Sequence, residues 1–581
     1  MNGGKMINMQ FSISLERIQT DAVKWSIDKK DYKTHNSLLE CSAQKYLDYL
    51  YSNSLYLATE NPSLINSVSY IAQKYVNCIV KVDVLDIQTE INLIESQMIE
   101  SLFIPKNIDC GIKENIYVIL KSLCNKYKVE LRNLISKYSR EHLLKVFYTN
   151  ASVISYISAQ SRYWKPTGEI DKNYINLISE TFNAIYKFNS VLVNNFLGSE
   201  KKSYEYLIHF ILNSSVEFQN IDDEIADIEG ILKITRLLIS TEQLLRNISF
   251  IYKSKGTINI ENNQIYLNGP LNEKLNSYFN LDNENIINLQ SEKINNIYRE
   301  FEKKRGYSPF LLEEYLFKFE EKFLETRTFS TLIEDKALIF DIFSKTNQPE
   351  QAIKNMLEDL SLIPINEKDI YTQAFSNDNR LFRTPLIKIS NYYLISYFIL
   401  SESSSYFRYR ILKNEIRNKL DKKLVNLVKE DFNELNLIDL KNKLENSNIP
   451  GDINFEFNKN SECKHLFENK KGLPQEIDGY FIKNNKLYLI ELKNKDLHKS
   501  LNDISKSVKN TQSHLRSLNM LKKVIQQNKS LMQDVLGGEF SEVKIFLTHK
   551  FPHFLDGSYD EENEVTICSF KDLLNYCDKI L

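Results

Sequence analysis

Two alternating stretches separated by a pair of asparagines constrain this chain more than any other feature. In Gln475–Ile482, the residues Ile477, Gly479 and Phe481 alternate with Glu476, Asp478 and Tyr480. In Lys486–Lys493, Tyr488, Ile490 and Leu492 alternate with Leu489, Glu491 and Lys493. Successive side chains of an extended strand point to opposite faces. A period of two therefore predicts two strands, and Asn484-Asn485 predicts the tight turn that pairs them. Glu476 and Asp478 then share one face, as do Glu491 and Lys493. Asp478, Glu491 and Lys493 can converge at one point.

That grouping has a chemical use. Two carboxylates supply hard oxygen ligands for Mg²⁺, with Mn²⁺ able to substitute. Such an ion polarises a phosphodiester and lowers the pKa of bound water. A lysine beside it can stabilise developing negative charge or position the attacking water. Glu-x-Lys alone is common on solvent-facing strands, where it is an ordinary ion pair; the spacing and the paired strands give it weight here.

The neighbouring pattern extends the expectation. A long amphipathic helix is predicted from Tyr406 to Leu435, with Leu412, Ile416, Leu420, Leu424, Leu427, Val428 and Phe432 on one stripe. Pro450-Gly451 breaks the chain, and Ile453, Phe455 and Phe457 alternate with polar residues in a further strand. A helix follows from Leu501 to about Gln526, then strands at Val543–Thr548 and Val565–Cys568. Ser569 precedes Asp572 in a capping-box spacing that opens a last helix. The predicted order is helix, three strands, helix, two strands, helix.

Asp478, a gap of 12 residues and then Glu491-Leu492-Lys493 resembles the PD-(D/E)XK, restriction-endonuclease-like nuclease superfamily, over about 411–581 only. The resemblance implies an αβββαβ core with a mixed central sheet and a Mg²⁺-dependent phosphodiester hydrolase. The family's metal-binding aspartate falls on Asp478, its second acidic ligand on Glu491 and its lysine on Lys493. Pro474 lies four residues before Asp478, so the Pro-Asp dipeptide is absent, and Glu476-Ile477-Asp478 stands in its place. The resemblance also implies an acidic residue on the first helix, Asp421 or Glu415. It implies a glutamine on the helix after the lysine strand as well, which fits Gln512. The expected catalytic set is Asp478, Glu491, Lys493, Glu476 and Gln512, with Asp478 and Glu491 as metal ligands.

The rest of the chain reads as a mainly α-helical N-terminal region. In 86–102, Ile87, Ile91, Ile94, Met98 and Leu102 follow helical steps, and Ser308-Pro309 predicts a helix start before Leu312, Tyr315, Leu316, Phe319 and Phe323. Short strand pairs are expected around Asn262-Asn263 and Ser390-Asn391. The predicted division is 1–345 helical, with a hairpin near 257–267, then 346–410 as a connecting α+β subdomain, and 411–581 as the nuclease-like domain.

Composition narrows the function classes. Lys+Arg number 74 and Asp+Glu 76, giving a formal charge of −2, which excludes a uniformly basic polyanion binder. The window 483–529 is different, holding 11 Lys+Arg against 3 acids, as phosphate-backbone binding needs. Seven scattered cysteines without CxxC argue against a disulfide framework or a zinc ribbon and fit a reducing cytoplasm. No apolar run reaches the roughly 20 residues of a membrane span, and Met1–Gln10 contains no signal-like apolar segment. No GxxxxGK[ST], GxSxG or HExxH occurs. His549 and His553 follow the strand Val543–Thr548 and are expected to be ordinary loop histidines. The functional expectation is a nuclease, acting on DNA in preference to RNA, in bacterial restriction or antiviral defence. The N-terminal region then recognises or regulates, through a protein partner or a second copy of the chain. The alternatives are a nucleic-acid-binding scaffold that does not cut and an RNA-cleaving toxin.

Overall fold

The structure, a computed structural model, describes residues 85–102, 111–163, 190–222, 225, 227–279, 292–317, 330–376, 378–421, 437–468, 470–493, 501–549 and 553–580. Expectations for Cys41, Cys78, Cys110, Phe319, Phe323, residues 422–436, Lys495, Asp496 and Lys499 lie outside these residues.

Two compact units are present. The first holds the described residues up to Glu242, then Ile260–Ile265 and Ile294–Leu420; the second holds Gln243–Asn259, Tyr266–Lys293 and Asp421–Leu581. Residues 346–410 belong to the first unit.

The first unit is mainly helical. Its helices include Leu85–Glu100, Lys113–Ile135, Arg140–Tyr163 and Ser190–Asn213. In Lys113–Ile135 the buried residues Ile116, Ile119, Leu120, Leu123, Tyr127, Leu131 and Ile135 recur at helical spacing, so one face meets the core. Helix Ile228–Lys253 leads to the hairpin of β1 (Thr257–Glu261) and β2 (Gln264–Asn268). Asn262 and Asn263 turn it with φ of 51° and 56°, a conformation asparagine tolerates well. Strands β3 (Thr331–Glu334), β4 (Ile387–Ile389) and β5 (Tyr392–Ile395) form an antiparallel sheet in the order β3-β5-β4.

Two helix expectations are corrected. The helix predicted from Ser308-Pro309 begins at Leu311, because Ser308 and Pro309 lead through a turn closed by Leu311 N–H to the Ser308 carbonyl at 3.0 Å. Of the helix predicted over 406–435, the described part belongs to a helix Tyr397–Leu412 that ends before 413, with the Ser396 hydroxyl accepting from Ile399 N–H at its start, and 422–435 lie outside the described residues. It ends because Asn414 takes a left-handed φ of 56°, and its side-chain oxygen accepts from Leu420 N–H at 2.7 Å. The buried Arg410 guanidinium also draws in the Glu415 carbonyl at 3.2 Å. Ile416 and Leu420 are still buried, so an irregular turn satisfies the same apolar spacing. Glu415 therefore sits in a turn of the first unit; Asp421, the first residue of the second unit's last segment, is not itself helical, and the residues that follow it lie outside the described ones.

The second unit is α/β. Its mixed six-stranded sheet has the order β10-β11-β9-β8-β7-β6. The strands are β6 (Gly451–Glu456), β7 (Glu476–Lys483), β8 (Lys486–Lys493), β9 (Glu542–His549), β10 (Ser558–Asp560) and β11 (Val565–Ser569). β6, β7 and β8 form an antiparallel meander, β8, β9 and β11 run parallel, and β10 pairs antiparallel with β11. The parallel step from β8 to β9 requires a crossover, which the long helix Leu501–Gln527 and the helix Lys529–Leu536 supply.

Helices cover both faces of the sheet. On one, Tyr480, Ile482, Leu487, Leu489, Ile545 and Leu547 meet Leu515, Leu518, Leu521 and Ile525 of the long helix. On the other, Phe481, Tyr488, Ile490, Leu492 and Phe546 meet Leu437, Leu440 and Leu444 and, from the last helix Phe570–Ile580, Leu573 and Cys577. The Ser569 hydroxyl accepts from Asp572 N–H at 3.1 Å, which is the expected cap.

Candidate active site

The hairpin of β7 and β8 turns at Asn484 and Asn485, with φ of 50° and 59°. Its ladder runs from Lys483↔Lys486 to Gly479↔Ile490 and stops there. Beyond that level β7 pairs on with β6 (Ile477↔Phe455), while β8 pairs on with β9 (Lys493↔His549). The sheet thus opens between β7 and β8 at the level of Asp478. In the opening, Leu492 N–H donates to Asp478 Oδ2 at 2.6 Å, a side-chain bond where a ladder bond would continue. On β6, Asn454 has φ of 54° and drops out of the pairing between Ile453↔Gly479 and Phe455↔Ile477, opposite Asp478.

Asp478, Glu491 and Lys493 come together here. Lys493 Nζ pairs with Glu491 Oε1, and their side chains are 28% and 15% exposed. Asp478 is pushed up to about 7, first by burial, then by the charge of Glu491, with Glu476 adding to it; Lys493 and Leu492 N–H oppose the rise. Burial alone would lower the Lys493 ammonium, but Glu491, Asp478 and Glu476 outweigh it and its pKa is raised. Glu476 is exposed at the start of β7 and still acts electrostatically on both Asp478 and Lys493. Three carboxylates against one ammonium leave two uncompensated negative charges when all are ionised. Asp478 and Glu491 are the residues here that could offer oxygen ligands to a divalent cation.

Gln512 is placed differently from expectation. The buried positions of the long helix run Leu501, Ile504, Ser507, Thr511, Leu515. Its inward polar residues are therefore Ser507 and Thr511, the latter one position before Gln512. Gln512 is half-buried and accepts from Lys253 Nζ at 3.4 Å, and none of its described contacts reaches the carboxylates.

A second group was missed. His549 pairs in register with Lys493, so it lies on the same face of the sheet, one strand over. It is fully buried, and its Nδ1 bonds Asp556 Oδ1 at 3.0 Å. Asp556 Oδ2 accepts from His553 N–H at 2.7 Å, and the two imidazoles stack with centroids 3.9 Å apart. Leu555 N–H donates to His553 Nδ1 at 3.1 Å, so His553 Nε2 carries the proton and donates to Ser507 Oγ at 2.9 Å. That polarity leaves Ser507 unactivated as a nucleophile. The spacing His-x3-His-x2-Asp after an apolar strand was the available sequence signal.

The basic window is partly neutralised. Lys486 pairs with Glu542 at 2.7 Å, Lys522 with Glu564, and Lys493 with Glu491. Lys506, Lys509, Arg516 and Lys523 stay exposed along the long helix at spacings of three, seven and seven, which places them on one stripe.

Among the described residues, no helix is long and apolar enough to cross a membrane. Cys124, Cys463, Cys568 and Cys577 are buried free thiols. Comparison with protein-family models, with curated proteins and with solved structures finds no match to this chain.

Proposed function

We propose that the C-terminal unit is a metal-dependent nuclease of the restriction-endonuclease-like kind, hydrolysing phosphodiester bonds of nucleic acid, with DNA the favoured substrate. The observation that carries this reading is the convergence of Asp478, Glu491 and Lys493 at the opening between β7 and β8. The mixed sheet flanked by helices supports it, as does the exposed basic stripe Lys506, Lys509, Arg516, Lys523.

In this reading Asp478 and Glu491 hold Mg²⁺, with Glu476 adding negative charge at the rim. The bound ion supplies a polarised phosphoryl oxygen and a water acidic enough to attack. Lys493 keeps its proton, since its pKa is raised, and places a fixed positive charge where the phosphorane develops. Leu492 N–H holds the Asp478 carboxylate in one orientation. The exposed cations of the long helix bind backbone phosphates without reading bases. A restriction or antiviral setting, with the first unit as the recognising or regulating part, is part of the same proposal.

The test is a substrate panel of plasmid, linear duplex, single-stranded DNA and RNA, each with Mg²⁺, Mn²⁺ or EDTA. The expected result is cleavage that needs the cation and vanishes in Asp478→Ala and Lys493→Ala. Retarded but uncut nucleic acid under every condition would overturn the enzyme reading and leave a binding protein.

A further inference from the structure

A turn of the first unit carries more positive charge than its neighbours neutralise. Glu205, fully buried on the helix Ser190–Asn213, accepts from Arg380 Nε at 3.0 Å and Nη2 at 2.8 Å. Glu402, on the helix Tyr397–Leu412, takes Lys201 Nζ on its two oxygens at 2.8 Å and 2.6 Å. Both carboxylates are thereby committed. Arg383 makes no ion pair among the described residues; its one hydrogen bond there runs from Nη1 to the Phe382 carbonyl at 3.1 Å. Its guanidinium lies over the Tyr406 ring, 3.3 Å from the centroid. Arg380 Nη1 and Arg383 Nε and Nη2 thus keep N–H groups with no acceptor among the described residues. The Arg380 side chain is 24% exposed and Arg383 is half-buried, so a ligand can reach them.

The backbone beneath the two arginines is fixed independently. The Arg380 carbonyl accepts from Arg383 N–H at 2.9 Å, from Thr384 N–H at 2.7 Å and from Thr384 Oγ1 at 2.9 Å, so both side chains leave one tight turn. The Arg383 carbonyl accepts from the buried Ser403 hydroxyl at 2.9 Å and from the buried Arg410 Nη1 at 2.6 Å. Donors held in place beforehand lose little freedom when a ligand arrives. The arrangement is unfavourable without one: burial and then the charge of Arg380 lower the Arg383 pKa, and Glu205 and Glu402 only partly oppose them. An oxyanion shared by the two guanidiniums offsets that repulsion.

We propose that Arg380 and Arg383 bind a phosphate group, free or at the end of a small molecule. Planar guanidinium forks match phosphate oxygens, and a tetrahedral oxyanion can offer separate oxygens to each fork. Stacking on Tyr406 sets the plane of the Arg383 fork. Lys201, 5.1 Å from the Phe382 ring centroid, adds positive charge beside the same turn. Guanidiniums set this deep suit a single terminal phosphate better than the continuous backbone of a duplex. The proposal does not rest on the nuclease reading.

The test is isothermal titration calorimetry of the full chain in EDTA with inorganic phosphate, with AMP and, as a control, with adenosine. One phosphate per chain is expected, and no heat from adenosine. AMP that displaces phosphate identifies a terminal phosphate as the ligand; phosphate binding that AMP leaves untouched identifies the free ion. Arg383→Ala should weaken binding by about tenfold or more. Arg383→Lys, which keeps the charge but loses the fork, should weaken it too. Arg383→Gln serves if circular dichroism shows that Arg383→Ala has not folded. The proposal fails if neither phosphate nor AMP binds the wild type up to roughly 10 mM, or if a folded Arg383→Ala or Arg383→Gln protein binds as the wild type does. It fails as well if duplex DNA displaces the phosphate from the wild type, which would make the two arginines part of a nucleic-acid surface. None of these readouts depends on cleavage, so this proposal and the nuclease reading stand or fall separately.

Discussion

Replacing Asp478 with asparagine should stabilise the metal-free C-terminal unit, and only above acidic pH. Asp478 is raised from 3.8 to about 7. Between those values the unfolded chain ionises this carboxyl while the folded chain keeps it protonated. Folded stability therefore declines as pH rises through that window and levels off above about 7. Three units at about 1.36 kcal/mol each give an upper bound near 4 kcal/mol. The amide introduced by Asp478→Asn has the same shape as the carboxyl, can still accept from Leu492 N–H, and carries no charge for Glu491 and Glu476 to repel. In EDTA at pH 8 the variant should exceed the wild type by about 2–4 kcal/mol, and at pH 4 the difference should nearly vanish. Urea unfolding followed by pulse-labelled hydrogen exchange of the β7 and β8 peptides reads this unit by itself. Adding Mg²⁺ should favour the wild type alone, by about 2.7 kcal/mol at one hundred times its dissociation constant. A wild type equal to the variant at pH 8 in EDTA, or a difference that does not change with pH, would refute the reasoning.

The other predictions concern cleavage, binding and packing. Lys493→Ala should lower Mg²⁺-dependent cleavage by at least about 10²-fold in a single-turnover assay, with circular dichroism unchanged. Lys506→Ala with Lys509→Ala should weaken DNA binding about equally across sequences. By salt titration the slope of log affinity against log salt should become shallower by roughly one unit per lost phosphate contact. In Gly451→Ala the new Cβ would stand 2.5 Å from the Tyr480 carbonyl oxygen. A backbone atom cannot swing aside, so β6 must shift, at a cost of about 1–3 kcal/mol in urea unfolding.

What was legible in the sequence was what short-range rules decide. The β7–β8 hairpin follows from period-two alternation and the Asn484-Asn485 turn, and it places Asp478, Glu491 and Lys493 at one end of the pair, where β9 braces β8 from the other side. The Ser569 cap is equally local. The helix expected from Tyr406 onward is interrupted after Leu412 because Asn414 and Arg410 form bonds across a turn that apolar spacing does not encode. Gln512 lies one residue of helical phase, about 100°, from the buried Thr511. The stripe passes through Ser507 and Thr511, polar residues that a search for apolar ones passes over. The histidine group depends on parallel pairing of β8 with β9 and on a turn that returns Asp556 to His549. Neither is visible in single-strand patterns.

The early stop of the β7–β8 ladder has a consequence for biosynthesis. The hairpin can close as soon as its own residues are available, within microseconds. The end of β8 that carries Glu491 and Lys493, however, is held from its other side by β9, whose pairing with Lys493 waits for His549. Synthesis runs at about 5–20 residues per second. A nascent chain therefore carries Asp478, Glu491 and Lys493 for several seconds before the strand that braces them exists. A ribosome-stalled or truncated product ending before residue 542 would contain Asp478, Glu491 and Lys493 yet lack the strand that braces them. Under the proposed function, the site would become rigid only once β9 has been made, after the first unit has had time to fold.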